Sequence, residues 1–218
     1  MGMRRENPFC IGLDLGQSND YTALAIVEVV EEDLLTGRKR APYMHLRHLE
    51  RYPLRTPYPE IADGVAGLVN NEDLLRYTTD DMLRTVTHYP ELVIDQTGVG
   101  APVADLLKAR GLDFRSVIIT GGDKVHGGRT ARVPKRDLVS ALEVSLQTSN
   151  LLVAEGLKLW PVLREEMLNF KRKIDLRSAH DSYEHWRESD HDDLVLAVCL
   201  ACWGAANPYP RGAEVFSF

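Results

Sequence analysis

Three acidic positions share one setting in this sequence. Asp14 sits inside the apolar run FCIGLDL, Asp95 closes ELVID, and Asp192 with Asp193 heads the long apolar stretch DDLVLAVCLACW. A carboxylate buried without a partner costs several kcal/mol, so such residues persist by pairing with a cation or by losing their charge. No lysine or arginine interrupts any of these runs. A divalent cation is the natural counter-charge, and oxygen-only ligation favours magnesium or manganese over zinc. If Asp14 and Asp95 end neighbouring strands and the Asp192 helix closes over them, two ions about 3.5–4 Å apart could activate water and stabilise the leaving oxygen of a phosphodiester. That chemistry is hydrolysis of a nucleic-acid backbone.

The elements that must position these acids can be read from the apolar pattern. Two β-branched runs flank GQSND, whose Gly16, Ser18, Asn19 and Asp20 are turn formers, and so predict an antiparallel hairpin. A third strand is expected in PYMHLRHLERYPL, after the polar loop EEDLLTGRKRAP. From Pro59 to about His88 the spacing of Ile61, Val65, Leu68, Leu74, Leu75, Met82 and Val86 predicts helix, broken near NNED. ELVID, GAPVADLLKARGL and RSVIIT then read as strand, helix and strand, a parallel crossover that makes the sheet mixed. VPKRDLVSALEVSLQTSN and LWPVLREEMLNFK are amphipathic helices, KRKIDL and DSYEHW suggest a small ribbon, and the stretch after Asp192 predicts a largely buried helix. The expected architecture is one α/β domain over residues 1–206, with a mixed central β-sheet and helices on both faces, and a tail over 207–218.

Three segments carry a family resemblance. GLDLGQSNDYTALAIV, VIDQTGVGAPV and HDDLVLAVCLACW together, in that order, resemble the nuclease domain of the large terminase subunit of tailed phages, a member of the RNase H-like superfamily. The resemblance spans almost the whole chain. It implies an RNase H-like fold and catalytic acids on the first strand, a mid-chain strand and the last helix, which fall on Asp14, Asp95 and Asp192. It further implies that Asp14 bridges two Mg2+ or Mn2+ ions while Asp95 and Asp192 hold one each, with Asp193 and Asp20 assisting. The implied activity is metal-dependent cutting of double-stranded DNA during genome packaging in the host cytoplasm. Its partners would be an ATPase motor, a small terminase subunit and a portal. No stretch matches the phosphate-binding loop G-x-x-x-x-G-K-[ST], so the motor is expected on a separate chain or segment.

Other readings compete at individual positions. Asp95 could cap the helix that follows it, and one of Asp192 and Asp193 could cap the last helix while the other binds metal. His191 could touch a metal or phosphate, although a single histidine at a helix start is more often structural. CLAC has redox or zinc spacing but lies in an apolar helix without a second ligand pair, which favours small core residues. TGGDKVHGG reads as a surface loop sooner than a phosphate wrap. For the whole chain the alternatives are a junction-resolving or repair nuclease of the same superfamily, an actin-like nucleotide-binding module suggested by the first loop, and a catalytically idle docking domain.

Composition bounds these readings. With 218 residues and 44% hydrophobic content the chain can bury one sizeable core, and no apolar run reaches the roughly 20 residues of a membrane span. Three scattered cysteines argue against a disulfide framework. A net charge of −6 argues against strong sequence-wide attraction to nucleic acid, so DNA contact must be local. Arg129, Arg132, Lys135 and Arg136 stand at a predicted helix start, where backbone amides also favour anions, and are the expected DNA track. Arg38, Lys39 and Arg40, and Lys171, Arg172 and Lys173, are further basic groups.

Overall fold

In the computed structural model the described residues are 5–16, 20–30, 43–98, 100–177 and 192–209, with side chains left aside at 100, 101 and 171–177. The first strand β1 (Phe9–Asp14) is followed by β2 (Ala23–Val30) and β3 (Tyr43–Arg51), all antiparallel neighbours, as the alternating apolar runs predict. Helix α1 (Tyr58–Val69) comes next, then a single 3-10 turn at Glu72–Leu74. The helix expected to run on to His88 does not form. Arg76–His88 is instead a hairpin of β4 (Arg76–Thr79) and β5 (Thr85–His88). Its residues RYTT and TVTH are β-branched and aromatic, and the Asp80 carboxylate accepts the amides of Met82 and Arg84 to close the turn.

The crossover is as expected. Strand β6 (Glu91–Asp95), helix α2 (Gly100–Ala109) and strand β7 (Arg115–Thr120) are followed by β8 (His126–Gly127), β9 (Thr130–Pro134) and α3 (Lys135–Gln147). A short strand β10 (Leu151–Val153) leads to α4 (Trp160–Arg177) and finally α5 (Asp193–Ala206). KRKIDL continues α4 and is not a ribbon strand, while DSYEHW lies outside the described residues. The sheet order is β10-β3-β2-β1-β6-β7-β9-β8, with β1, β6, β7 and β9 parallel. This is the mixed α/β sheet of RNase H-like type that the sequence predicts.

Alternation sorts the side chains of the central strands onto two faces. Phe9, Ile11, Leu13, Leu92 and Ile94 pack with α1 and α2. Cys10, Ala23, Ala25 and Val93 pack under α3 and α5. Helix α5 is buried along almost its entire length, so it carries few polar residues, and it crosses β1 at unusually close range. A Cβ added to Gly12 would lie 2.1 Å from the Ala197 carbonyl oxygen and 2.6 Å from the Ala201 nitrogen. A Cβ added to Gly204 would lie 2.7 Å from both Cys10 Sγ and Val93 Cγ2. The far end of α5 is held by Arg5, whose Nη2 donates to the Gly204 and Ala205 carbonyls at 2.7 and 2.6 Å, satisfying acceptors that a helix end leaves open. No helix among the described residues is long and apolar enough to cross a membrane.

Candidate active site

The close approach of α5 to β1 fixes what meets at the sheet edge. From Gly12 to Asp14 a strand advances about 6.6 Å, and from Ala197 back to Asp193 a helix retreats about 6 Å, so the start of α5 comes to lie over the end of β1. Next to β1, the β6 register pairs Leu13 with Ile94, and one residue further on Asp14 stands beside Asp95, on strands about 4.8 Å apart. Strand alternation turns both carboxylates toward α5, on the same face as Gly12 and Val93.

Each acid is held differently. Asp14 is buried, and that burial, reinforced by the charges of Asp95, Asp192 and Asp193, pushes its pKa well above the usual carboxylate range, with Lys135 opposing. Asp95, also buried, accepts the Thr97 amide at 2.7 Å in a turn of its own. Thr97 Oγ1 accepts the Ile119 amide at 2.7 Å, which ties this loop to β7. Asp192 occupies the N-cap position of α5 but makes no capping hydrogen bond; its carboxylate lies 3.9 Å from Lys135 Nζ. Asp193 is buried, with its carboxylate 2.7 Å from Arg51 Nε. Asp20 is exposed beyond Gly16, lines a cleft with Thr22, Arg55 and Tyr58, and is not among the charges acting on Asp14.

The residues of the expected basic track differ in their partners. Arg129 pairs with Asp113 and Arg136 with Asp123, at 2.9 Å in the second case, while Arg132 is exposed on β9. Lys135 instead turns into the acidic site, where burial lowers its pKa and Asp192, Asp14 and Asp95 raise it. His191, His180, His185 and the Arg38 group lie outside the described residues, as do the side chains of Lys171, Arg172 and Lys173. Cys199 and Cys202 are buried thiols of the core, with burial pushing both upward in pKa.

Two residues that the motif reading passed over belong to the site. Arg51 and Glu166 are ion-paired, and Glu166 also accepts the Val195 amide of α5 at 3.3 Å. Glu166 was legible in principle: it lies on the buried stripe of α4 between Leu163 and Phe170, where a charged residue is anomalous.

The donor set suits a hard divalent cation, being oxygen-only, partly buried and mutually repulsive. Among the described residues, however, no group of three His, Cys, Asp or Glu side chains is drawn around one point where an ion could sit. The fit is one of donor chemistry and charge.

No family model and no curated relative matches the sequence. Among solved structures, the large terminase nuclease of thermophilic phage G20c aligns with a TM-score of 0.50 at 18% identity, covering 95% of this chain and 85% of that one. A manganese-soaked terminase nuclease domain of human cytomegalovirus aligns at 0.48 and 14% identity, covering 94% and 88%.

Proposed function

With a fold of the terminase-nuclease kind as the premise, we propose that this chain is a divalent-metal-dependent endonuclease that cuts double-stranded DNA during viral genome packaging. The observation that supports this reading is that Asp14, next to Asp95 in strand register at one end of the central sheet, feels the charges of both Asp95 and Asp192. These three carboxylates would hold Mg2+ or Mn2+. When bound, such ions supply Lewis acidity toward water and toward the leaving oxygen of the phosphodiester.

The chain's own residues do the rest. Asp14 and Asp95, fixed on adjacent strands, orient the ligand oxygens, and the Thr97 amide keeps Asp95 from rotating away. Lys135, beside Asp192, is suited to draw a scissile phosphate toward the acids, and Arg132 with Arg129 and Arg136 to take backbone phosphates alongside. Asp20, on the rim of the same hairpin, would reach only an incoming strand or an outlying ion. Sequence-independent cutting follows from contacts made to phosphates alone. An ATPase motor, a small terminase subunit and a portal would deliver the DNA in the host cytoplasm.

Digestion of linear and supercoiled plasmid with manganese, magnesium or chelator tests the proposal. Cutting with either ion and none with chelator is expected. Cutting of a four-way junction in preference to linear plasmid would redirect the assignment to a junction-resolving enzyme, and undiminished cutting by Asp14→Asn would end it.

A further inference from the structure

We propose that Arg51 is a positioning residue, an inference that rests on the metal-nuclease reading: it makes Asp193 the buried anchor of the first turn of α5, so that Asp192 is the member of the pair presented to Asp14 and Asp95. The strand register puts Arg51, Ala23 and Asp14 in one row across β3, β2 and β1, with Asp95 next in line on β6. The row therefore carries a cation at one end and two carboxylates at the other, all beneath the same helix terminus. Asp192 is the N-cap, with non-helical backbone, and Asp193 is the first residue of the helix, so the chain turns between the two carboxylates. Here they divide between two cations, Asp193 toward Arg51 at 2.7 Å and Asp192 toward Lys135 at 3.9 Å.

Two further groups hold the Arg51 clamp on Asp193. Glu166 of α4 pairs with Arg51 through one oxygen and accepts the Val195 amide through the other, at 3.3 Å. The Tyr21 ring lies 4.8 Å from the guanidinium carbon. Side-chain exposures of 16% for Arg51, 8% for Glu166 and 6% for Asp193, against 24% for Asp192, separate the anchor from the residue turned to the open site. A planar guanidinium can bridge two carboxylates and stack on a ring at once, which a lysine ammonium cannot.

Calorimetric titration of the whole chain with Mn2+, beside thermal melts in chelator, tests this on six proteins: wild type, Asp192→Asn, Asp193→Asn, Arg51→Met, Arg51→Lys and Arg51→Met/Asp193→Asn. Loss of a ligand at Asp192 is expected to weaken Mn2+ binding most, without lowering the melting temperature in chelator. Arg51→Met is expected to weaken Mn2+ binding by about 10–100-fold, as loss of a residue orienting a ligand does, and Asp193→Asn by less than that. Arg51→Lys should recover only part of the affinity. In chelator, the double variant should melt above Arg51→Met, because Asp193 is then no longer a buried charge without its cation. Mn2+ binding lost as completely in Asp193→Asn as in Asp192→Asn, or unaltered in Arg51→Met, overturns the proposal. Should wild type bind no Mn2+, the metal reading fails, and the melts decide the anchor by themselves: recovery in the double variant supports it, additive losses overturn it.

Discussion

At Asp14 burial and three neighbouring carboxylates all act in the same direction, against the charged form. Replacing this residue by asparagine should abolish cutting and, in chelator, raise the melting temperature by about 2–4 °C, the shift that 1 kcal/mol gives in a chain of this size. Scanning calorimetry beside a plasmid assay checks both. Glu166 gives a second expectation. Burial lifts its pKa from 4.5 to about 7, despite Arg51. The folded state therefore holds more protons than the unfolded chain between those values, and the sign of the linkage is negative: stability falls as pH rises from about 4.5 to about 7. Asp14, raised likewise, adds to the same fall. Melts in chelator across this window should show a decline that Glu166→Gln makes shallower; a parallel decline in the variant would remove Glu166 as its source.

The element that decides the site is α5, and what lets it sit down on β1 is the missing side chain at Gly12. An alanine there would press its Cβ on backbone atoms of Ala197 and Ala201, which cannot swing aside, so the helix must lift. Gly12→Ala is expected to destabilise by about 1–3 kcal/mol, the usual range for overpacking, and to weaken Mn2+ binding because Asp192 rises with the helix. Gly67 in α1 makes the contrast: its Cβ would meet nothing within 4 Å. Gly67→Ala should stabilise by about 0.5–1 kcal/mol and leave cutting unchanged. Denaturant melts and a nuclease assay of the pair check whether the α5 contact, and not glycine content, is what matters.

For the molecule as a whole, a net charge of −6 and a cleft in which Asp14, Asp95, Asp192 and Asp193 outnumber Lys135 and Arg51 oppose DNA unless cations intervene. Mn2+ or Mg2+ should therefore raise the melting temperature, with a gain of about 2.7 kcal/mol at a hundredfold excess over the dissociation constant. Calcium-free titrations followed by calorimetry would read this directly, and no gain at any concentration would contradict a metal centre. Because the expected contacts are lysine and arginine to backbone phosphates, DNA binding in the presence of metal should weaken as salt rises. Its dependence should be shallow, since two of the four expected phosphate-contacting residues, Arg129 and Arg136, already pair with Asp113 and Asp123.

By itself the sequence determined that carboxylates at Asp14, Asp95 and Asp192–Asp193 end buried elements, that the sheet is mixed, and that the last helix is core. Those properties follow from local apolar pattern, which period and burial impose residue by residue. It misjudged Arg76–His88 because Leu74, Leu75, Met82 and Val86 happen to fit a helical spacing, while the turn chemistry of Asp80 and the threonines favoured a hairpin. Only the tertiary structure decided which way the two adjacent aspartates face, that Lys135 belongs with the acids, and that Arg51 and Glu166 stand behind them. Those are pairings between residues up to more than a hundred positions apart, set by strand register and by the depth to which α5 settles over Gly12, and no local pattern encodes either quantity.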